Sequence, residues 1–119
     1  MSKEIYREMT EHMEDGDPFV VATVIATRGS TPRKSSAKML VLEDGTIRGT
    51  IGGGCGEAEV WTAAMQSLED GRPRIVTVDL TTPVDGPDKI CGGIMDIYVE
   101  PIMPIIELRR RQEAAPASE

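Results

Sequence analysis

Aromatic residues are scarce in this 119-residue chain, limited to Tyr6, Phe19, Trp61 and Tyr98, and His12 is the lone histidine. Acidic residues outnumber basic ones by 20 to 13, for a formal charge of -7. Few stacking platforms and an excess of negative charge exclude the usual basic and aromatic binding of a phosphate backbone, so no nucleic-acid partner is expected. No apolar run approaches the roughly 20 residues that span a bilayer, and Met1-Ser2-Lys3-Glu4-Ile5 opens no apolar signal region. The chain reads as cytoplasmic, with no membrane partner. Cysteine is limited to Cys55 and Cys91. In a reducing compartment such a pair more often stays as thiols, and a structural zinc site would have to borrow a carboxylate.

What is present is an ordinary globular composition, with 39% hydrophobic residues and 12 glycines. At this length a single domain is expected, with enough core to fold unaided. Residues 1–112 read as that domain and 113–119 as a flexible polar tail. Tyr6, Met9 and Met13 recur on one helical face between Ser2, a capping residue, and Gly16-Asp17-Pro18. Phe19–Thr27 is apolar and β-branched, as a strand covered on both faces would be. Met39–Leu42 and Thr46–Ile51 flank Asp44-Gly45 and predict a β-hairpin. Trp61, Ala64, Met65 and Leu68 predict a second helix, stopped by Gly71. Arg74–Leu80 and Ile94–Glu100 read as strands, 81–89 as a loop, and Pro104–Arg111 as a short helix. The fold expected is α/β in the broad sense (α+β): a mixed sheet containing a β-hairpin, flanked by helices, in a single domain.

Three stretches can carry chemistry. Gly52-Gly53-Gly54-Cys55-Gly56-Glu57 lies between a strand and the second helix, and so many glycines are costly to order unless the backbone must turn left-handed or approach a ligand closely. Such a run can present free N–H groups to an anion, and the helix dipole there favours a thiolate at Cys55. It can equally serve as a tight turn with Cys55 as a small buried hydrophobe. Glu57 suits the helix N-terminus electrostatically. The spacing fits neither a dinucleotide fingerprint, since Glu57 stands where a third glycine is needed, nor a P-loop. The second stretch is 27–38. Between Phe19 and Leu42 the only charges are Arg28, Arg33, Lys34 and Lys38, and with Ser30 they can cradle an anion, or form a solvated loop facing acids elsewhere. The third is Cys91-Gly92-Gly93. If its strand end shares a sheet edge with the first glycine run, Cys55 and Cys91 together make a soft dithiol site for molybdenum, copper(I) or sulfur transfer; otherwise they are two unrelated buried thiols. His12 reads as a surface or cap residue, and Met39, Met65 and Met95 as core filling.

Gly29-Ser30-Thr31-Pro32-Arg33, Ala37-Lys38-Met39-Leu40-Val41, Gly49-Thr50-Ile51-Gly52-Gly53-Gly54-Cys55 with Glu57, and Cys91-Gly92-Gly93 ending in Glu100-Pro101 together resemble the XdhC/CoxI family in order and spacing, over roughly residues 18–103. The resemblance implies a maturation factor for molybdenum hydroxylases such as xanthine dehydrogenase. Such a factor binds molybdenum cofactor of the molybdopterin type, protects it and hands it to the apoenzyme. On this reading Cys55 and Cys91 lie nearest the metal or its labile sulfur. Arg28, Arg33, Lys38 and the glycine run hold the phosphate or pterin, and Ser30, Glu57, Gly92 and Gly93 complete the candidate set. The implied role is that of a cofactor-binding chaperone rather than an enzyme. Two further readings stay open from the residues: a small thiol-dependent redox or sulfur-transfer protein using Cys55 and Cys91, and a structural dimeric interaction module. Many relatives continue into a Rossmann-type domain, so the other wall of the pocket is expected from a second copy, making a homo-oligomer, or from a separate Rossmann-domain subunit. Gly56 stands where relatives commonly have a larger apolar residue, and Ser35-Ser36 where they often have Pro-Gly.

Overall fold

The computed structural model describes residues 3–29, 37–51, 56–81 and 93–114. Eight elements follow in order: α1 (Lys3–Asp15), β1 (Phe19–Gly29), β2 (Lys38–Leu42), β3 (Ile47–Gly49), α2 (Glu57–Asp70), β4 (Arg74–Asp79), β5 (Gly93–Ile102) and α3 (Ile105–Ala114). The strands form one five-stranded sheet in the order β3-β2-β1-β5-β4. This is the expected α+β architecture with its hairpin, and every described strand pair is antiparallel, which narrows the expected mixed sheet. The capping role expected of Ser2, and all but Thr81 of the loop expected at 81–89, lie outside the described residues. α3 runs through Glu113 to Ala114, past the boundary expected at residue 112.

The two longest strands, β1 and β5, pair at the centre of the sheet from Phe19↔Ile102 to Gly29↔Gly93, with a bulge between Val24 and Ala26. Alternation along the strands sorts side chains onto two faces. On one face Val20, Ala22 and Val24 of β1, Met39 and Val41 of β2, Val78 of β4 and Met95, Ile97 and Val99 of β5 pack with Val60, Ala63, Ala64 and Leu68 of α2. On the other, Phe19, Val21, Leu40 and Leu42 pack with Ile102 and with Met9 of α1. Burying β1 on both faces explains its unbroken apolar start, Phe19–Ala22.

The hairpin between β2 and β3 turns at Glu43-Asp44-Gly45. Leu42 N–H donates to Thr46 O and Gly45 N–H to Leu42 O, both at 2.9 Å. Gly45 takes φ +90°, and Asp44 accepts from the Thr46 N–H. α2 ends as its sequence predicts, with Gly71 at φ +72° donating to Ser67 O. Its inward face differs from the one the spacing suggested, because Trp61 is 37% exposed. The Trp61 ring lies against Gly45 and its Nε1–H donates to Gly45 O, so it braces the hairpin from the helix flank while Val60, Ala63 and Ser67 face inward. The C-terminal end of α2 receives the Arg111 guanidinium, which donates to Leu68 O and Glu69 O. A cation there answers the helix dipole and its unsatisfied carbonyls. Glu107, buried at 6% exposure, pairs with Arg111 and Arg110 and orients them.

Candidate functional site

Antiparallel pairing decides where the three motif stretches meet. β1, β3 and β4 all run toward one end of the sheet, where β2 and β5 begin. The described chain ends that flank residues 30–36, 52–55 and 82–92 therefore all stand at that same end. Gly29 pairs with Gly93, and Gly93 accepts from the Leu80 N–H at 2.7 Å, so chain ends of three strands stand side by side. Nearby, Val24 N–H donates to Ala37 O where β2 begins. Ser30, Arg33, Gly52, Gly53, Gly54, Cys55, Cys91 and Gly92 lie outside the described residues. Arg28, Lys38, Glu57 and Gly93 are described, and all four stand at this end.

Each described candidate already has a partner. Arg28, on the last turn of pleat before the strand ends, donates from Nη1 to Asp96 Oδ2 at 3.0 Å. Asp96 Oδ1 accepts from Thr77 Oγ1 at 2.8 Å. These side chains line one face across β1, β5 and β4, and the Arg28 guanidinium followed by the Thr77 hydroxyl holds the Asp96 carboxyl below its ordinary value of 3.8. The positive charge of Arg28 is thereby matched within the sheet. Lys38 Nζ donates to Thr23 Oγ1 at 3.1 Å, and among the described residues no carboxylate pairs with it. At the end of β4, Asp79 accepts from the hydroxyl and backbone N–H of Thr81, which lowers its pKa as well.

Glu57 is the first residue of α2, and its carboxylate turns back toward the chain that precedes the glycine run. Oε2 accepts from Thr50 Oγ1 and from the Ile51 N–H, the latter at 3.3 Å. Ile51 is fully buried in the core cluster. On the other side of the run Gly56 has φ +80°, and a Cβ there would stand 2.5 Å from Val78 Cγ1. A left-handed backbone pressed onto β4 accepts glycine and little else, which gives the residue at this position a physical reason in this chain.

Asp96, Thr77, Thr50 and Thr23 were missed by sequence reasoning. Asp96 partners Arg28, Thr23 partners Lys38 and Thr77 partners Asp96 across strands remote in sequence, whereas Thr50 reaches Glu57 from only seven residues away. His12 lies at the opposite end of the sheet, 3.5 Å from Glu8 and 4.0 Å from Asp17, with its ring 6.0 Å from Phe19. It lines a depression with Asp17, Pro18, Leu42, Glu43 and Asp44, far from the motif ends. Met39 and Met95 are fully buried and Met65 packs against the same cluster. Among the described residues, no group of three or more His, Cys, Asp or Glu side chains is arranged to hold a metal ion. No helix among them is long and apolar enough to cross a membrane.

The fold and motif set are those of a known family: the model of the XdhC and CoxI family matches residues 12–79. The chain belongs to the XdhC and CoxI family. It is similar to YqeB, an uncharacterized protein of Escherichia coli K12, at 39% identity over 98 residues, covering 80% of this chain and 18% of YqeB. It is also similar to PaoD, the molybdenum cofactor insertion chaperone of the same organism, at 33% identity over 89 residues, covering 75% of this chain and 28% of PaoD. Among solved structures it resembles a xanthine dehydrogenase of Bacillus halodurans with a TM-score of 0.69 and 34% identity, covering 89% of this chain and 32% of that one. The chain thus spans less than a third of the length of these relatives.

Proposed function

We propose that this chain is an accessory domain that binds molybdenum cofactor and aids its insertion into a molybdenum hydroxylase apoenzyme. The observation that carries the reading is topological: three separated motif stretches begin and end at one end of a single antiparallel sheet. Similarity to a molybdenum cofactor insertion chaperone supports the choice of ligand. The chemistry of the residues suits that ligand. Thiols are soft donors for molybdenum or its sulfur, and Arg33, Ser30 and glycine N–H groups suit a phosphate. In this assignment Cys55 and Cys91 stand nearest the metal, and Gly52, Gly53, Gly54, Gly92 and Gly93 allow close approach of the backbone. Arg28 and Lys38 flank the site as its described cations, Arg28 contributing only in exchange for, or alongside, its pair with Asp96. A second copy of the chain or a separate Rossmann-domain subunit supplies the facing wall.

The test mixes the purified chain with molybdenum cofactor under anaerobic conditions, followed by gel filtration and assay of the protein peak for molybdenum and pterin. Co-elution is expected for the native chain, with at least about a tenfold loss of retention in Cys55→Ala and a smaller loss in Arg33→Ala, since each variant removes one contact of a multidentate ligand. Full retention in a folded Cys55→Ala variant removes that thiol from the site, and no co-elution for the native chain removes the carrier role.

A further inference from the structure

We infer that Glu57 is a positioning residue: its carboxylate ties the end of the β3 segment to the first turn of α2 and thereby fixes the separation of Ile51 from Gly56. Three observations meet at this point. The two donors, Thr50 Oγ1 and the Ile51 N–H, converge on one oxygen of Glu57. Ile51 is anchored by complete burial against α2 and the sheet. Gly56 presses against Val78 in a left-handed conformation, and α2 has no side-chain cap of its own at this residue. A helix that starts on a glycine lacks the usual Ser, Thr, Asp or Asn that would fix its entry. Glu57 supplies the missing restraint from inside the helix by reaching backward to the incoming chain. Ile51 is then held in the core and Gly56 on β4, with a carboxylate bridging the two.

The consequence differs from that of a ligand. A carboxylate that bound cofactor would act through its charge, whereas one that positions acts through its acceptor oxygen and its reach. Three variants separate the two roles. Glu57→Ala removes both charge and acceptor, Glu57→Gln removes the charge and keeps an acceptor oxygen, and Thr50→Val keeps the charge and removes a donor. The inference rests on the proposed cofactor site only for its functional meaning, so its test uses no cofactor. The full 119-residue chain is alkylated with iodoacetamide across a pH series, and the rates at Cys55 and Cys91 are read separately by peptide mass spectrometry. Amide hydrogen exchange over 50–57 and circular dichroism are followed on the same samples. Glu57→Ala and Thr50→Val are expected to raise the rate at Cys55 relative to Cys91 by at least about threefold and to speed exchange at Ile51, because thiol reactivity follows the local setting of the sulfur. Glu57→Gln is expected to stay close to the native rate at its plateau. Equal effects of Glu57→Ala and Glu57→Gln with none from Thr50→Val would overturn the inference in favour of an electrostatic role. Native reactivity and exchange in all three folded variants would overturn it outright. No cofactor co-elution for the native chain in the separate gel-filtration test, with the alkylation pattern as expected here, would count against the proposed function and leave the positioning role standing.

Discussion

The two ends of the sheet are built on different principles. At the end where β1 begins and β2 and β5 finish, side chains fill both faces: Phe19, Val21, Leu40 and Leu42 close against Ile102 and Met9, while Val20 and Val41 close against the α2 side. The connection there is a short turn secured by hydrogen bonds and braced by Trp61. At the other end, past the bulge at Val24/Ala26, one face carries Arg28, Asp96 and Thr77, and the contacts are polar and partly exposed. Apolar burial secures both faces of the first end, whereas at the second it is confined to the α2 face and directional hydrogen bonds set the other. Burial is strong and tolerant of direction, whereas a carboxylate accepting from two fixed donors dictates where a backbone goes. Under the function proposed above, in which this end presents three chain segments to a ligand, the second kind of restraint is the one required.

Substitutions can break or sharpen this contrast. Leu40→Ala, in the fully packed end, should cost about 3 kcal/mol of unfolding free energy, read from urea denaturation, through lost burial and the cavity left behind. It should leave the relative alkylation rates of Cys55 and Cys91 unchanged while the protein remains folded. Gly56→Ala attacks the other end. A Cβ at 2.5 Å from Val78 Cγ1 on a backbone with φ +80° should cost about 2 kcal/mol, from overpacking and left-handed strain together. Unlike the core variant, it should also speed amide exchange at 51–57. Equal exchange changes in the two variants would dissolve the distinction between the ends.

The smallest effect belongs to Asp96→Asn, because Arg28 is more than half exposed and surface pairs contribute little. Its signature is in the pH dependence. The folded-state pKa of Asp96 lies below 3.8, chiefly through Arg28 and then Thr77, so its stabilising contribution is fully present above that ordinary value and is lost as the pH falls through the lowered one. The Asn variant should therefore show a shallower loss of thermal stability below about pH 4 than the native chain. Coincident acid limbs would show that the pair adds no stability.

The local elements were legible because their signals are local. Trp61 to Leu68 with Gly71 marked a helix and its stop, Asp44-Gly45 marked the turn, and the β-branched run 19–27 marked a strand, which is covered on both faces only as far as Val24, Ile25 being 49% exposed. Pairing was not legible, since nothing in 19–29 or 93–102 states that these two segments lie side by side. For the same reason the shared sheet edge expected for the two glycine-cysteine runs stood only as a condition in the sequence. Arg28 and Asp96 sit in different quarters of the sequence, and only the β1/β5 register joins them. Glu57 shows another limit: its position at a helix start suggested a dipole role, while its side chain turns back to Thr50 and Ile51. Trp61 shows a third, because helical spacing gives a face but not which edge of that face meets the sheet.

The central pairing of the first and last strands also governs how the domain comes into being. β1 is separated from its neighbour on one side, β5, by β2, β3, α2 and β4, so it is synthesised well before that neighbour. Until then β1 exposes a row of unpaired backbone groups and one flank of apolar side chains, the condition that invites pairing with other chains. Closing so long a loop is entropically slow, so folding should be limited by this one contact. Its last rung, Gly29 beside Gly93, lies at the motif end. A nascent or truncated chain lacking β5 would thus be without this rung, and the side-by-side arrangement of the three chain ends would arrive only with the whole sheet.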